Sequence, residues 1–92
     1  MVARRLLIVA YDTPLLRSAT AELPAFIKTN ARAWWHHLKN MWIIESEHDP
    51  NWWSERLQPY VEPESLIIMD VSINSAQGFL PERAWTWLNN KI

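Results

Sequence analysis

The sequence has no cysteine. Disulfide staples, thiolate metal sites and cysteine nucleophiles are therefore excluded together. A single glycine leaves no P-loop and no dinucleotide-binding fingerprint, and no Ser-His-Asp set or histidine-rich metal spacing is present. Charge of one sign is also missing: nine Lys and Arg face ten Asp and Glu, for a net charge of −1. That balance argues against a strongly basic nucleic-acid coat. The longest apolar run near the N-terminus, residues 6–11, is too short for a signal-peptide core or a bilayer span. Arg4 and Arg5 precede it, but Asp12 and Pro14 follow where a small-residue cleavage site would stand. A cytoplasmic chain with no membrane partner is expected.

What the chain does have is apolar bulk. Hydrophobic residues make up 49% of its 92 positions and seven are tryptophan, which excludes disorder. The length sets one domain, residues 1–92, with no room for a second core. A chain of this size buries only about 60–65% of its unfolded surface, so its stability rests on dense packing or on packing plus a partner subunit.

The stretch 5–11 (RLLIVAY) reads as a buried strand stopped by Asp12-Thr13-Pro14. Residues 14–18 read as an irregular connection and 20–30 as a helix with Leu23, Phe26 and Ile27 on its inner stripe. Residues 33–38 and 41–47 are rich in strand-favouring types and flank Lys39-Asn40, which suits a two-residue hairpin turn. Asp49-Pro50 is a helix start, with Asp as cap and Pro at the first helical position. Trp53, Leu57, Tyr60 and Val61 then form a stripe, shortened or kinked by Pro59. Residues 65–72 (SLIIMDVS) read as another buried strand, residues 74–78 as a loop, and Pro81 opens a last helix with Trp85, Leu88 and Ile92 on its apolar side.

The order is β-α-β-β-α-β plus a C-terminal helix. That predicts an α+β fold of the ferredoxin-like, split βαβ kind, with an antiparallel sheet and two helices on one face. The opposite face needs a cover. The C-terminal helix is expected to supply part of it and a second subunit the rest, over Leu66, Ile68 and the surplus tryptophans.

The strand ending in Tyr11-Asp12, the run Ala33-Trp34-Trp35-His36-His37-Leu38 followed by Trp42-Ile43-Ile44, and the tail Ala84-Trp85-Thr86-Trp87-Leu88 resemble a family of small bacterial proteins often labelled the SinR family. Ala31-Arg32 stand where that family usually carries a glycine. The resemblance spans nearly the whole chain. It implies the fold of the small ferredoxin-like subunit of the CRISPR adaptation complex and of VapD-type ribonuclease toxins, and it implies a homodimer. Some of those relatives are metal-dependent nucleases whose aspartate at the end of the first strand meets its copy at the dimer interface. Asp12 is the matching position.

Three groups of residues are candidates for chemistry. Asp12, doubled across a dimer, is a candidate ligand for Mg²⁺, whose bound water attacks a phosphodiester; the alternative is an Asx-turn that stops the strand. His36 and His37 point to opposite faces of a strand, so they do not chelate one metal together. One is a candidate general base or phosphate partner; the alternative is a hydrogen-bonded histidine at the hairpin. The tryptophans suit either base stacking or packing under the last helix. Arg4, Arg5, Arg17 and Arg32 are candidate phosphate contacts if the fold gathers them; the alternative is a solvated charged surface. The expected function is a small homodimeric, non-catalytic module that binds nucleic acid, nucleotide or protein in a phage-defence, mobile-element or toxin–antitoxin setting. The alternative is a weak metal-dependent endonuclease with Asp12 as metal ligand and His36 and His37 beside it.

Overall fold

The computed structural model describes residues 5–12, 22–71 and 78–91. Their order is β1 (Arg5–Tyr11), α1 (Glu22–Asn30), β2 (Ala33–Trp35), β3 (Met41–Ser46), α2 (Pro50–Leu57), β4 (Leu66–Asp70) and α3 (Glu82–Lys91), with a 3-10 turn at Gln58–Tyr60. The fold is α+β. Its four strands form one sheet in the order β2-β3-β1-β4, and every neighbouring pair is antiparallel. The expected connection at 14–18, the start of the first helix at Thr20, the loop at 74–77 and Ile92 lie outside the described residues.

Alternation along β1 divides the core in two. Leu7, Val9 and Tyr11 are buried on one face and Leu6, Ile8 and Ala10 are half-buried on the other, as the two-residue period of a strand requires. Leu7 and Val9 face Ile44 and Trp42 of β3 across the ladder. Together they pack under Leu23 and Ile27 of α1 and Trp53 and Leu57 of α2. The second cluster, Trp35 and Ile43 from the sheet with Ala84 and Leu88 from α3, lies on the opposite face. Three layers result: α1 and α2, the sheet, then α3.

Local signals place the helices. The Asp49 side chain accepts from the backbone N–H of Trp52 at 2.9 Å and Pro50 opens α2. The α-helix stops at Leu57, and Pro59 sits in the 3-10 turn that follows, because proline has no N–H to continue an α-helical ladder.

Two expectations need correction. The hairpin connection is longer than Lys39-Asn40. Trp35 pairs with Ile43 and Trp34 with Ile44, so the register centres the turn on Lys39, and a two-residue turn at Lys39-Asn40 does not fit it. The ladder ends at Trp35 and the connection runs through residues 36–40. The second correction concerns β4. Leu66 lies opposite Tyr11 and Ile68 opposite Val9, which puts both on the face of α1 and α2, half-buried against that core. The residues left open on the α3 face are Ile67, 54% exposed, and Met69, 45% exposed, opposite Ala10 and Ile8. The cluster under α3 draws its fully packed sheet residues from β2 and β3, so the β4 side of that face stays wet.

Candidate functional site

The antiparallel sheet gathers the end of β1, the β2–β3 turn and the start of β4 at one edge of the molecule. The Tyr11 N–H donates to the Asn40 carbonyl at 3.1 Å, and the Asp12 N–H donates to the Ser65 carbonyl at 3.0 Å. The Asp12 carbonyl accepts from the Glu62 N–H at 2.9 Å. Asp12 is thus fixed by its backbone, while its side chain is exposed. It borders an open hollow of about 410 Å³ with Tyr11, Asn40, Glu64 and Ser65.

The floor of that hollow is a tight turn. The Ser65 N–H donates to the Glu62 carbonyl at 3.1 Å, Pro63 takes the second position, and Glu64 has φ of 62°. This is the type II pattern, whose third position favours glycine. A side chain in the left-handed region costs about 1 kcal/mol. Glu64→Gly should therefore raise stability by at most about 0.6 kcal/mol once the roughly 0.4–1 kcal/mol of added unfolded-chain freedom is subtracted. A higher midpoint in urea checks it, and Glu64→Ala should give no such gain.

The metal reading of Asp12 meets a poor donor set. Among the described residues no group of three or more His, Asp or Glu side chains converges. Asp12 and Glu64 are the two carboxylate residues of the hollow, and two from a single chain fall short of the oxygen shell that Mg²⁺ takes, so no step through the metal follows from this chain's geometry.

His36 and His37 separate, as their adjacency on an extended chain dictates. The His36 ring stacks on Trp42 with centroids 3.8 Å apart and planes 10° apart, and its Nε2 lies 3.1 Å from the Lys39 carbonyl. The His37 ring lies 6.2 Å from that of Trp35. Both histidines nevertheless border one cleft of about 370 Å³ between the β2 end and α3. The buried Trp35 contributes from the strand, and Arg83, Ala84 and Trp87 from the helix, while the rings of Trp34 and His36 lie against Trp42 on the other face of the sheet. With the His36 ring on Trp42, the charged or titratable side chains left to its wall are His37 and Arg83, with no carboxylate among its lining residues. In a chain of net charge −1, that is a local concentration of groups suited to an anion beside aromatic surfaces. Arg83 was not among the candidates drawn from the sequence, whereas Trp87 was one of the tryptophans weighed there. Their i, i+4 spacing, which sets two residues on one helix face, was the available signal.

Arg5 and Arg32 do not join this cleft. Arg5 lies opposite Ser46 at the far end of β1, roughly 20 Å from Asp12 at the rise of a strand. Its guanidinium meets Asp70 at 3.2 Å. Arg32 is at the same far end, where its N–H donates to the Glu45 carbonyl at 2.8 Å and its side chain meets Glu47 at 2.6 Å. Arg4 and Arg17 lie outside the described residues.

Several other tryptophans are already engaged. Trp42 and Trp53 are fully buried. Trp52 carries the His48 ring, stacked at 3.7 Å, and the Arg56 guanidinium at 4.1 Å. The Lys28 ammonium sits 4.8 Å from the Trp34 ring. Comparison with protein families, curated proteins and solved structures returns no match for the chain.

Proposed function

We propose that this chain is a ferredoxin-like, non-catalytic module that works as a homodimer in the cytoplasm and binds nucleic acid through the β2–α3 cleft. The observation that carries the reading is the cleft itself, bordered by His37, Arg83 and the half-buried Trp87 with no acid among its lining residues. Aromatic rings stack bases, and cations hold the phosphates. The ferredoxin-like part is supported by the strand order, in which β1 lies between β3 and β4 and β3 between β1 and β2. Kinship with the SinR-like proteins belongs to the same proposal, as does a defence, mobile-element or toxin–antitoxin setting.

The homodimer is supported by β4. It is an edge strand paired with β1 alone in the sheet, and it exposes Ile67 and Met69 on one face. An antiparallel edge of this kind is self-complementary about a two-fold axis. Met69→Lys should convert a species of twice the monomer mass to monomer in sedimentation at micromolar concentration. A wild type that sediments as a monomer contradicts the dimer.

The nuclease alternative keeps one favourable observation, the exposed Asp12 carboxylate beside an open hollow. Incubation of RNA and DNA with wild type and Mg²⁺ or Mn²⁺ separates the two. The binding module cuts neither, and Asp12→Asn leaves binding unchanged. Cleavage by wild type that vanishes in Asp12→Asn would overturn the non-catalytic reading, because Asn keeps the size but loses the charge that a hard cation needs.

A further inference from the structure

We infer that a second copy of the chain adds its own β4 antiparallel to this one, in a register centred on Ile68, and joins the two sheets into one of eight strands. The inference rests on the homodimer proposed above and fixes the edge and the register that make it.

Backbone direction is the first argument. At the two ends of the β1–β4 ladder the Asp12 N–H donates to the Ser65 carbonyl at 3.0 Å, and the Val71 N–H donates to the Leu6 carbonyl at 2.9 Å. Hydrogen-bonded pairs alternate along an antiparallel ladder, so Ser65, Ile67, Met69 and Val71 turn their backbone groups toward β1. Leu66, Ile68 and Asp70 turn theirs outward, where no strand among the described residues pairs with them. A two-fold axis at Ile68 sets Leu66 against the partner's Asp70 and Ile68 against the partner's Ile68. Outward donors then meet outward acceptors along the whole of β4. Side chains are the second argument. The same register sets Ile67, 54% exposed, against the partner's Met69, 45% exposed, as a close pair on the α3 face, and the axis makes that pair twice. Charge is the third. Centred on Ile67 instead, the strands would oppose Asp70 to the partner's Glu64, two like charges. Centred on Ile68 they oppose none, and Asp70, the one charge on the strand, meets Arg5 of its own chain at 3.2 Å. The edge is also unguarded. Solitary edges carry lysine, proline or a bulge. β4 reads LIIMD, and its pairing with β1 runs unbroken from Leu66 to Asp70. The other edge, β2, is only three residues long. Since Ile67 and the partner's Met69 share a face, the axis stands normal to the sheet and both α3 helices lie on one side of the dimer. The two β2–α3 clefts then open at opposite ends of the joined sheet, roughly 34 Å apart at the spacing of adjacent strands.

The test is disulfide trapping at exposed positions, in a chain that has no cysteine of its own. Chains carrying Ile67→Cys and chains carrying Met69→Cys, one of the two isotope-labelled, are mixed at micromolar concentration. They are oxidised in a glutathione buffer and weighed by mass spectrometry. In the inferred register the two positions face each other with Cα atoms about 4.5 Å apart, within the reach of a disulfide. Each lies about 7–8 Å from its own copy, beyond that reach. The expected result is the mixed disulfide, with neither variant linked to itself. Hydrogen exchange of the wild type is the second readout. The amides of Ile67 and Met69 should exchange slowly at every concentration, and those of Ile68 and Asp70 should slow only as the dimer forms. Ile67→Cys or Met69→Cys chains that link to themselves in place of the mixed product would overturn the register. A wild type that sediments as a dimer, yields no mixed disulfide and exchanges fast at Ile68 would overturn pairing through β4 and leave the homodimer on another surface. A wild type that sediments as a monomer would overturn the inference together with the homodimer it rests on.

Discussion

Trp53→Ala is expected to cost about 3–5 kcal/mol, the range for removing a buried aromatic side chain. Trp53 is fully buried at the centre of the layer between α2 and the sheet. Its ring meets Phe26 of α1 edge-on, with centroids 5.9 Å apart and planes at 90°, so truncation opens a cavity shared by both helices. Its Nε1–H donates to the Ser46 hydroxyl at 2.9 Å, and Ser46 is itself fully buried. The same hydroxyl accepts from the His48 N–H at 2.9 Å, which ties the end of β3 to the approach to α2. A small domain holds roughly 5–15 kcal/mol in all, so this one substitution removes a large part of it. Trp53→Phe separates the two contributions. It keeps most of the ring volume and loses the hydrogen bond, and should cost about 1–3 kcal/mol. Urea melts that show less than about 1 kcal/mol for Trp53→Ala would contradict the packing described.

The second large effect lies in the Tyr11–Trp42 pair. Trp42 is fully buried, and its Nε1–H donates to the Tyr11 hydroxyl at 2.8 Å, linking β3 to β1 through the core. Trp42→Ala should cost about 3–5 kcal/mol, and it also leaves the His36 ring without the surface it stacks on. Tyr11→Phe is the sharper probe. It leaves a buried indole N–H with no acceptor, at about 1–3 kcal/mol. In the double variant Tyr11→Phe, Trp42→Phe that orphan donor is gone, so the cost should fall below the sum of the singles, with a coupling of about 0.5–3 kcal/mol. The pair also titrates. Burial raises the Tyr11 pKa from its ordinary value of 10.0, and the hydrogen bond from Trp42 offsets part of that rise. A raised folded-state pKa means that the folded chain holds its proton more tightly than the unfolded chain does. The stability this contributes is complete below pH 10 and is lost as pH climbs through the folded-state value. Phenylalanine has no such dependence, so the gap between wild type and Tyr11→Phe should narrow above about pH 10. A gap that stays constant would mean that the tyrosine ionises as freely in the fold as out of it.

Much of the architecture was legible because it follows local rules. Leu7, Val9 and Tyr11 alternate with Leu6, Ile8 and Ala10, and the period of two marks a strand with both faces covered. Asp49-Pro50 marks a helix start by capping chemistry alone, and Pro59 marks where an α-helix cannot continue. Non-local facts were harder to read. Which face Leu66 and Ile68 take depends on pairing with β1, and β1 lies some fifty residues away in sequence; the alternation within β4 is symmetric and does not label its two sides. The turn length depends on the β2–β3 register, which placed the centre on Lys39 and overrode the local preference of Lys39-Asn40.

The site was legible only by halves. Tryptophan followed by histidine at 34–37 stands out on any reading of the chain, and adjacency alone predicts that His36 and His37 diverge. Arg83 and Trp87 are nearly fifty residues further on, and only the packing of α3 against Trp35 and Ile43 brings them to the same cleft. The arginines went the other way. Arg5 and Arg32 do lie at one end of the sheet, but that end also carries Asp70 and Glu47, which their guanidinium groups meet. Composition cannot distinguish a basic track from a set of ion pairs.

Nuclear magnetic resonance of the labelled chain tests the central claim most directly, since each of the seven tryptophans carries its own indole N–H signal. On titration with an unlabelled single-stranded oligonucleotide, the indole signals of Trp35 and Trp87 and the backbone signals of His37 and Arg83 should shift together and saturate, while those of the buried Trp53 and of the distant Arg5 and Arg32 stay in place. Shifts confined to Asp12, Glu64 and Ser65, or to the Arg5 and Arg32 end of the sheet, would contradict the account by placing the binding surface elsewhere.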